Sequence, residues 1–245
     1  MQADDAIVGI AQRTRIVLVR TSHPGNIGAA ARAMKTMGLE RLYLVAPLHY
    51  PHPDATARAS WADDVLERAR VCATLEEAIA DCTLVVGASA RQRTLPWPLL
   101  DARGTAERIA SAAEETAIVF GAEQSGLDNH ELERCAILLQ IPSSADYGSL
   151  NLAAAVQIVA YELRMAARAD SAPAPETPLA TAAELEYFYS HLQRVMEAAD
   201  FLDPGNPKHL MRRMRRLFNR ARLDQNELNI LRGLLAAYDK PRPPR

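Results

Sequence analysis

Short β-branched apolar runs, each followed by a stretch of helix formers, set the strongest constraint on this chain. Arg15-Ile-Val-Leu-Val-Arg20, Arg41-Leu-Tyr-Leu-Val-Ala46, Thr83-Leu-Val-Val-Gly-Ala88, Ala117-Ile-Val-Phe-Gly121 and Ala136-Ile-Leu-Leu-Gln-Ile141 read as buried strands. Residues 29–37, 63–70, 75–81, 106–115, 128–134 and 150–168 read as helices, with Thr74 as an N-cap and Gly38 as a C-terminal stop. Strands this apolar are covered on both faces, which a parallel sheet achieves through its crossover helices. The pattern predicts an α/β domain with a mostly parallel sheet over residues 1–168.

The alternation then breaks. Residues 169–180 hold three prolines among small and polar residues and read as a linker. Helical stretches follow at 182–199, 207–220 and 225–238, so residues 181–245 form a small all-helical extension ending in a frayed tail. From Gly205 to Arg245, eleven Lys and Arg stand against three Asp and Glu, while the other residues carry 17 basic and 27 acidic side chains. Such asymmetry predicts an arm that faces a polyanion, with Arg212, Arg213, Arg215 and Arg216 spread around one helix.

Other classes are excluded more simply. No stretch reaches eighteen apolar residues, so no membrane span is expected. Met1 to Gln12 lacks the basic start and apolar core of a secretory leader. Cys72, Cys82 and Cys135 are too few for a disulfide framework or a zinc site, and their odd number fits a reducing cytoplasm. No metal site is expected.

In open α/β sheets, ligands gather at the carboxyl ends of the strands. Four loops there carry unusual residues. Thr21-Ser-His-Pro-Gly25-Asn26-Ile-Gly28-Ala-Ala-Ala-Arg32 reads as a glycine-containing turn that puts Asn26 and Arg32 near a helix N-terminus, an anion site. Gly87-Ala-Ser-Ala-Arg91-Gln-Arg93-Thr-Leu-Pro-Trp-Pro98 sets two arginines beside a stiff proline run. Phe120-Gly121-Ala-Glu123-Gln-Ser-Gly126-Leu127 flanks one carboxylate with glycines. Ile141-Pro-Ser-Ser-Ala-Asp-Tyr-Gly-Ser149-Leu-Asn151 feeds a long helix, with Ser149 placed to cap it. Each loop alone also reads blandly, as a tight turn, a stiffened surface loop, a surface acid and a helix cap.

In this order and spacing, the first, third and fourth loops resemble the three motifs of the SPOUT RNA 2′-O-ribose methyltransferases. Arg32-Ala-Met-Lys-Thr-Met-Gly-Leu39 and Ser89-Ala-Arg-Gln-Arg-Thr-Leu-Pro-Trp-Pro98 narrow the resemblance to the TrmJ branch, which acts on nucleotide 32 of the tRNA anticodon loop. It covers Arg15 to Arg168 and, more loosely, the basic C-terminus. The resemblance implies a sheet whose C-terminal part forms a trefoil knot, a homodimer, and S-adenosyl-L-methionine as methyl donor. It implies a cofactor pocket at Ala88, Ser89, Ala90, Gly121, Ile141, Gly148, Ser149 and Leu150. It places catalysis at Arg32, Asn26, Ser149, Asn151 and Glu123, and tRNA contacts at Arg32, Arg91, Arg93, Arg212, Arg213 and Arg216. Ala122 and Gln124 depart from the family pattern, which carries charged residues there. Another RNA substrate such as rRNA, or a non-catalytic RNA-binding relative, are the alternatives.

The chemistry needs a better nucleophile than a neutral hydroxyl. Arg32 serves either as the base or as an electrostatic stabiliser of the alkoxide. A guanidinium pKa above about 12 makes the first role costly, and the second at least contributes.

Overall fold

The structure is a computed structural model that describes residues 2–89, 97–144, 146, 148–167 and 177–239. The order of elements begins α1 (Gln2–Arg13), β1 (Thr14–Val19), α2 (Pro24–Met37), β2 (Arg41–Val45), α3 (Pro53–Ala59), α4 (Asp63–Glu67), β3 (Arg70–Cys72), α5 (Leu75–Ile79) and β4 (Leu84–Ala88). Then come β5 (Leu99–Leu100), α6 (Ala102–Ala110), β6 (Thr116–Phe120), α7 (Asn129–Leu132), β7 (Ile137–Leu139) and α8 (Leu152–Ala166). The C-terminal helices are α9 (Ala182–Ala198), α10 (Leu210–Ala221) and α11 (Gln225–Tyr238).

The strands form one seven-stranded sheet in the order β3-β2-β1-β6-β4-β7-β5. Every pairing is parallel. β1 and β6 are buried at every residue, as a central parallel strand requires. α1, α2, α3, α4, α6 and α8 cover one face, where Ile16, Leu18, Ile27, Met34, Leu42 and Ile118 make the core. α5 and α7 cover the other face, against Val17, Val19, Val85 and Val119. The C-terminal helices hold a third core of their own, built on Phe188, Tyr189, Leu192 and Leu228.

Several boundaries differ from the sequence expectation. α2 begins at Pro24, so Gly25-Asn26-Ile-Gly28 is its first turns and not a loop before it. Proline at the first helical position is pre-set for that backbone. Gly28 answers to packing instead: a Cβ there would lie 1.9 Å from the Ala55 carbonyl oxygen of α3. Arg32 therefore sits in the third turn, away from the helix N-terminus. α6 starts at Ala102 because the Asp101 side chain accepts from the Gly104 amide at 2.7 Å. α8 starts at Leu152, and its cap is Asn151, not Ser149; the Asn151 Oδ1 accepts from the Ala153 amide at 2.9 Å. α10 starts at Leu210 rather than Pro207, since Lys208 takes a left-handed conformation with φ 48°.

α1, α3, β3 and β5 lie outside the sequence expectation. β3 and β5 are edge strands of three and two residues, too short to show alternation. α1 did leave a signal: Ile7, Ile10 and Ala11 are buried at helical spacing.

Candidate active site

The sheet order reverses between β1 and β6, so the chain leaves these neighbours in opposite directions and opens a crevice at their carboxyl ends. Glu123 enters that crevice from the loop after β6, a tight turn closed by the Gly126 amide donating to the Ala122 carbonyl at 2.8 Å. Gly121 is required by close approach: a Cβ there would lie 2.2 Å from backbone atoms of Gly126 and Leu127.

The Glu123 carboxylate accepts from four donors across the switch point. These are the Ser22 amide at 3.0 Å, the Ser22 hydroxyl at 2.9 Å, the His23 amide at 3.2 Å and the Asn26 Nδ2 at 3.0 Å. Burial alone would raise its pKa. The bonds from Ser22, Asn26, its own amide and His23 outweigh that and hold the carboxyl at about 2, against an ordinary 4.5. Glu123 is thus a fixed anion that ties the start of α2 to β6, not a proton carrier near neutral pH. The chain continues through Asn26, whose Oδ1 accepts from the Asn151 Nδ2 at 3.0 Å. One network joins three of the expected catalytic residues, drawn from the first turn of α2, the loop after β6 and the cap of α8.

Beside it lies a cavity of about 170 Å³ at the ends of β4, β6 and β7. Its lining includes Ala88, Ser89, Gly121, Ile141, Gly148, Ser149 and Leu150, together with Phe120, Leu139 and Leu152. Ala90, Arg91 and Arg93 lie outside the described residues. The walls are mostly small side chains and backbone, with apolar patches from Phe120, Leu139 and Ile141, which suits a flat heterocycle held by main-chain groups.

Arg32 stands apart. It is exposed on α2, and its guanidinium has no hydrogen bond or ion pair among the described residues. Ser149 is exposed at the cavity rim. The basic arm divides. Arg212 pairs with Glu133 of the body, and Arg215 pairs with Glu186 while lying 4.6 Å from the Tyr189 ring centroid. Arg212 is therefore tied to the body of the protein through Glu133. Arg213 and Arg216 make no side-chain bond among the described residues.

Sequence reasoning missed Ser22, which gives Glu123 two of its donors. Its signal was a small hydroxyl in the turn directly after a strand. A second cavity, about 460 Å³, lies between α5 and α9. Its accessible walls are largely apolar, and several of its polar side chains are already engaged: Glu76 with Arg134, Glu186 with Arg215, Arg222 with Glu114 and Tyr189 with Asn219. Among the described residues no group of three or more His, Cys, Asp or Glu is placed to hold a metal ion, and no helix is long and apolar enough to cross a membrane.

Comparison with known proteins gives this geometry its family. Residues 13–161 match the model of the SpoU rRNA Methylase family, and residues 183–244 match the C-terminal domain of the tRNA methyltransferase TrmJ. The chain belongs to the SpoU methylase family, in its TrmJ branch. A curated TrmJ from Pseudomonas aeruginosa, named a tRNA (cytidine/uridine/adenosine-2′-O-)-methyltransferase, is 52% identical over 93% of this chain and 94% of its own. The TrmJ of Salmonella typhimurium, named a tRNA (cytidine/uridine-2′-O-)-methyltransferase, is 49% identical over 94% of this chain and 97% of its own. The crystal structure of TrmJ from Z. mobilis superposes with a TM-score of 0.84 at 34% identity, covering 93% of this chain and 99% of that one. In this SpoU methylase, then, both the strand-end crevice and the helical arm fall within matched family segments.

Proposed function

We propose that this TrmJ-branch methylase transfers a methyl group from S-adenosyl-L-methionine to the ribose 2′-hydroxyl of nucleotide 32, a cytidine or uridine, in the tRNA anticodon loop. It works as a homodimer in the cytoplasm, on the knotted sheet that the family resemblance implies. One observation carries the cofactor assignment. Seven residues that the resemblance places around the donor line a single cavity, which stands next to the Glu123-Asn26-Asn151 network.

When bound, the donor supplies a methyl on a sulfonium, so no metal is required for leaving-group chemistry. Gly121, Gly148 and Ala88 would hold it through backbone groups, while Phe120, Leu139 and Ile141 would give its heterocycle an apolar wall and exclude water. Ser149 stands exposed at the rim, where its hydroxyl would be within reach of the incoming ribose. Glu123 keeps Asn26 aimed, and Asn26 orients the incoming sugar.

Arg32 steadies the negative charge that develops on the 2′-oxygen and clamps the adjacent phosphate, with the proton passing to solvent. It lies six residues beyond Asn26, about 9 Å further along α2 and on another side of it. One copy therefore does not gather both on one face, and an Arg32 serving the partner's cavity accounts for the homodimer.

Mass spectrometry of tRNA from cells with and without the protein tests this reading; the expected change is the 2′-O-methyl group at nucleotide 32. Transfer to rRNA but not tRNA in vitro would overturn the substrate. Arg32→Lys keeps the charge but loses the planar fork. It is expected to lower the single-turnover rate with tRNA binding intact, and a retained rate would remove Arg32 from the chemistry. Mixing Arg32→Ala and Glu123→Ala copies is expected to restore activity in part only if the two residues act across the dimer.

A further inference from the structure

The turn between α9 and α10 forms an open cleft of about 530 Å³. Its wall carries Phe201, whose side chain is 67% exposed although Leu202 beside it is buried in the helical core. Lys208, His209 and Arg213 line the same cleft, all three exposed. Among the described residues their side chains make no hydrogen bond or ion pair. This sets them apart from Arg212, Arg215 and Arg222, which are paired with Glu133, Glu186 and Glu114.

Local structure fixes this set. Asn206 donates its amide to the Asp203 carbonyl at 3.1 Å, and Leu210 donates to the Pro207 carbonyl at 3.3 Å, so the segment is two successive turns. Lys208 is held between them at φ 48°, a conformation uncommon for a residue with a Cβ. Asp203, the acidic residue of the lining, has its Oδ1 accepting from the Gly205 amide at 2.8 Å. α10 has no acidic residue in its first turn. The cleft thus carries two cations without a side-chain partner among the described residues, Lys208 and Arg213, with the His209 ring beside them and Asp203 as the one carboxylate of its lining.

An exposed aromatic ring beside unpaired cations, in a concave surface, suits a nucleotide. The ring offers a stacking face that any base accepts, and the cations meet the phosphate. Resting on the tRNA reading above, we propose that this cleft is a second RNA subsite. It holds one unpaired nucleotide of the tRNA, other than the methylated one, with its base stacked on Phe201 and its phosphate on Lys208, His209 and Arg213. The subsite lies on the arm, so it sets tRNA affinity and leaves donor binding untouched.

The test uses the full-length protein and measures tRNA affinity by fluorescence anisotropy over a salt series, with donor affinity by calorimetry alongside. Lys208→Ala with Arg213→Ala is expected to weaken tRNA binding about tenfold or more at low salt. It should also flatten the logarithmic salt dependence by about 1 to 2, because each lost phosphate contact removes close to one unit of slope. Phe201→Ala is expected to weaken binding about fivefold to tenfold with the salt slope unchanged, and Phe201→Trp to restore it. Adenosine monophosphate serves as the free-nucleotide probe: competition with tRNA only at millimolar concentration supports an RNA strand as the ligand, and micromolar binding replaces that strand with a small nucleotide. Wild-type affinity and slope in the double variant would overturn the subsite, as would a monomer–dimer equilibrium shifted by Phe201→Ala, which assigns the ring to a second copy. If wild-type protein methylates tRNA while the variants behave normally, the subsite falls alone. If wild-type protein neither binds nor methylates tRNA, the substrate reading falls and takes the subsite with it.

Discussion

The strand-end crevice and the helical arm use their polar side chains in opposite ways. At the crevice, Glu123, Asn26 and Asn151 are bonded to one another and to the helix starts around them. In the arm, the cations split into two groups. Arg212, Arg215 and Arg222 meet carboxylates and fix the helices in place, whereas the side chains of Arg213, Arg216 and Lys208 meet no partner among the described residues. The difference teaches how to read a charge. A closed network sets geometry for a reaction that tolerates little displacement, while cations without a partner are what the proposed contact with an RNA backbone requires, since that backbone presents the same charge at many positions. A net charge of an arm does not separate these uses; the pairing does.

The sharpest way to break this comparison is at Glu123. Glu123→Ala releases the start of α2 and leaves the Ser22 and His23 donors unmet. It is expected to lower single-turnover methyl transfer about 100-fold, the scale of a small misplacement of reacting groups, while tRNA affinity stays within threefold by the anisotropy assay. If both fall together, the crevice and the arm are not the separate devices described. Gly121→Ala comes next. Its Cβ would meet backbone 2.2 Å away, so the turn after β6 must shift. Calorimetry is expected to show donor affinity reduced about tenfold, with stability lowered by about 1–3 kcal/mol.

A smaller effect is expected in the arm. The Tyr189 hydroxyl donates to the Asn219 Oδ1 at 2.7 Å, inside the third core. Tyr189→Phe leaves that oxygen unmet and is expected to lower the arm's stability by about 1–3 kcal/mol in denaturant titration, with transfer on saturating tRNA unchanged. The smallest effect near neutrality concerns pH. Glu123 titrates below its ordinary value, so its contribution to stability is complete above about 4.5 and is lost as pH falls toward about 2. Carbon-detected NMR of the carboxyl should place its midpoint near 2, and the pH–rate profile between 6 and 9 should show no step from it. A midpoint near 4.5 would mean the four donors do not hold.

Much of this was legible before any coordinates. The strands β1, β2, β4, β6 and β7 and the helix α5, with its Thr74 cap, follow from apolar runs and cap residues, because those are local signals. The start of α2 was not, because Gly25 and Gly28 look like a turn and only α3, packed on Gly28, shows otherwise. The cap of α8 fell two residues from the expected serine, since Ser149 and Asn151 are both good cap residues and the spacing alone does not choose between them. Arg15 shows the same limit: a charged residue at a strand start gives no hint that it is buried at 1% exposure against Asp81 and Glu115. Which arginines of the arm are engaged was equally hidden, because their partners Glu133 and Glu114 lie far back in the chain.

The hydrogen bonds of the crevice run in one sense. A helix start presents only amide hydrogens, so Asn151 must turn its oxygen there and its nitrogen toward Asn26. Asn26 must in turn direct its own nitrogen at a carboxylate that stays bare of protons. Neither amide can swing round without setting donor against donor or oxygen against oxygen. A lone acid at one terminus and a bare helix tip at the other thus dictate the polarity of every link between them, and the orientation of Asn26 is decided several ångströms away from it.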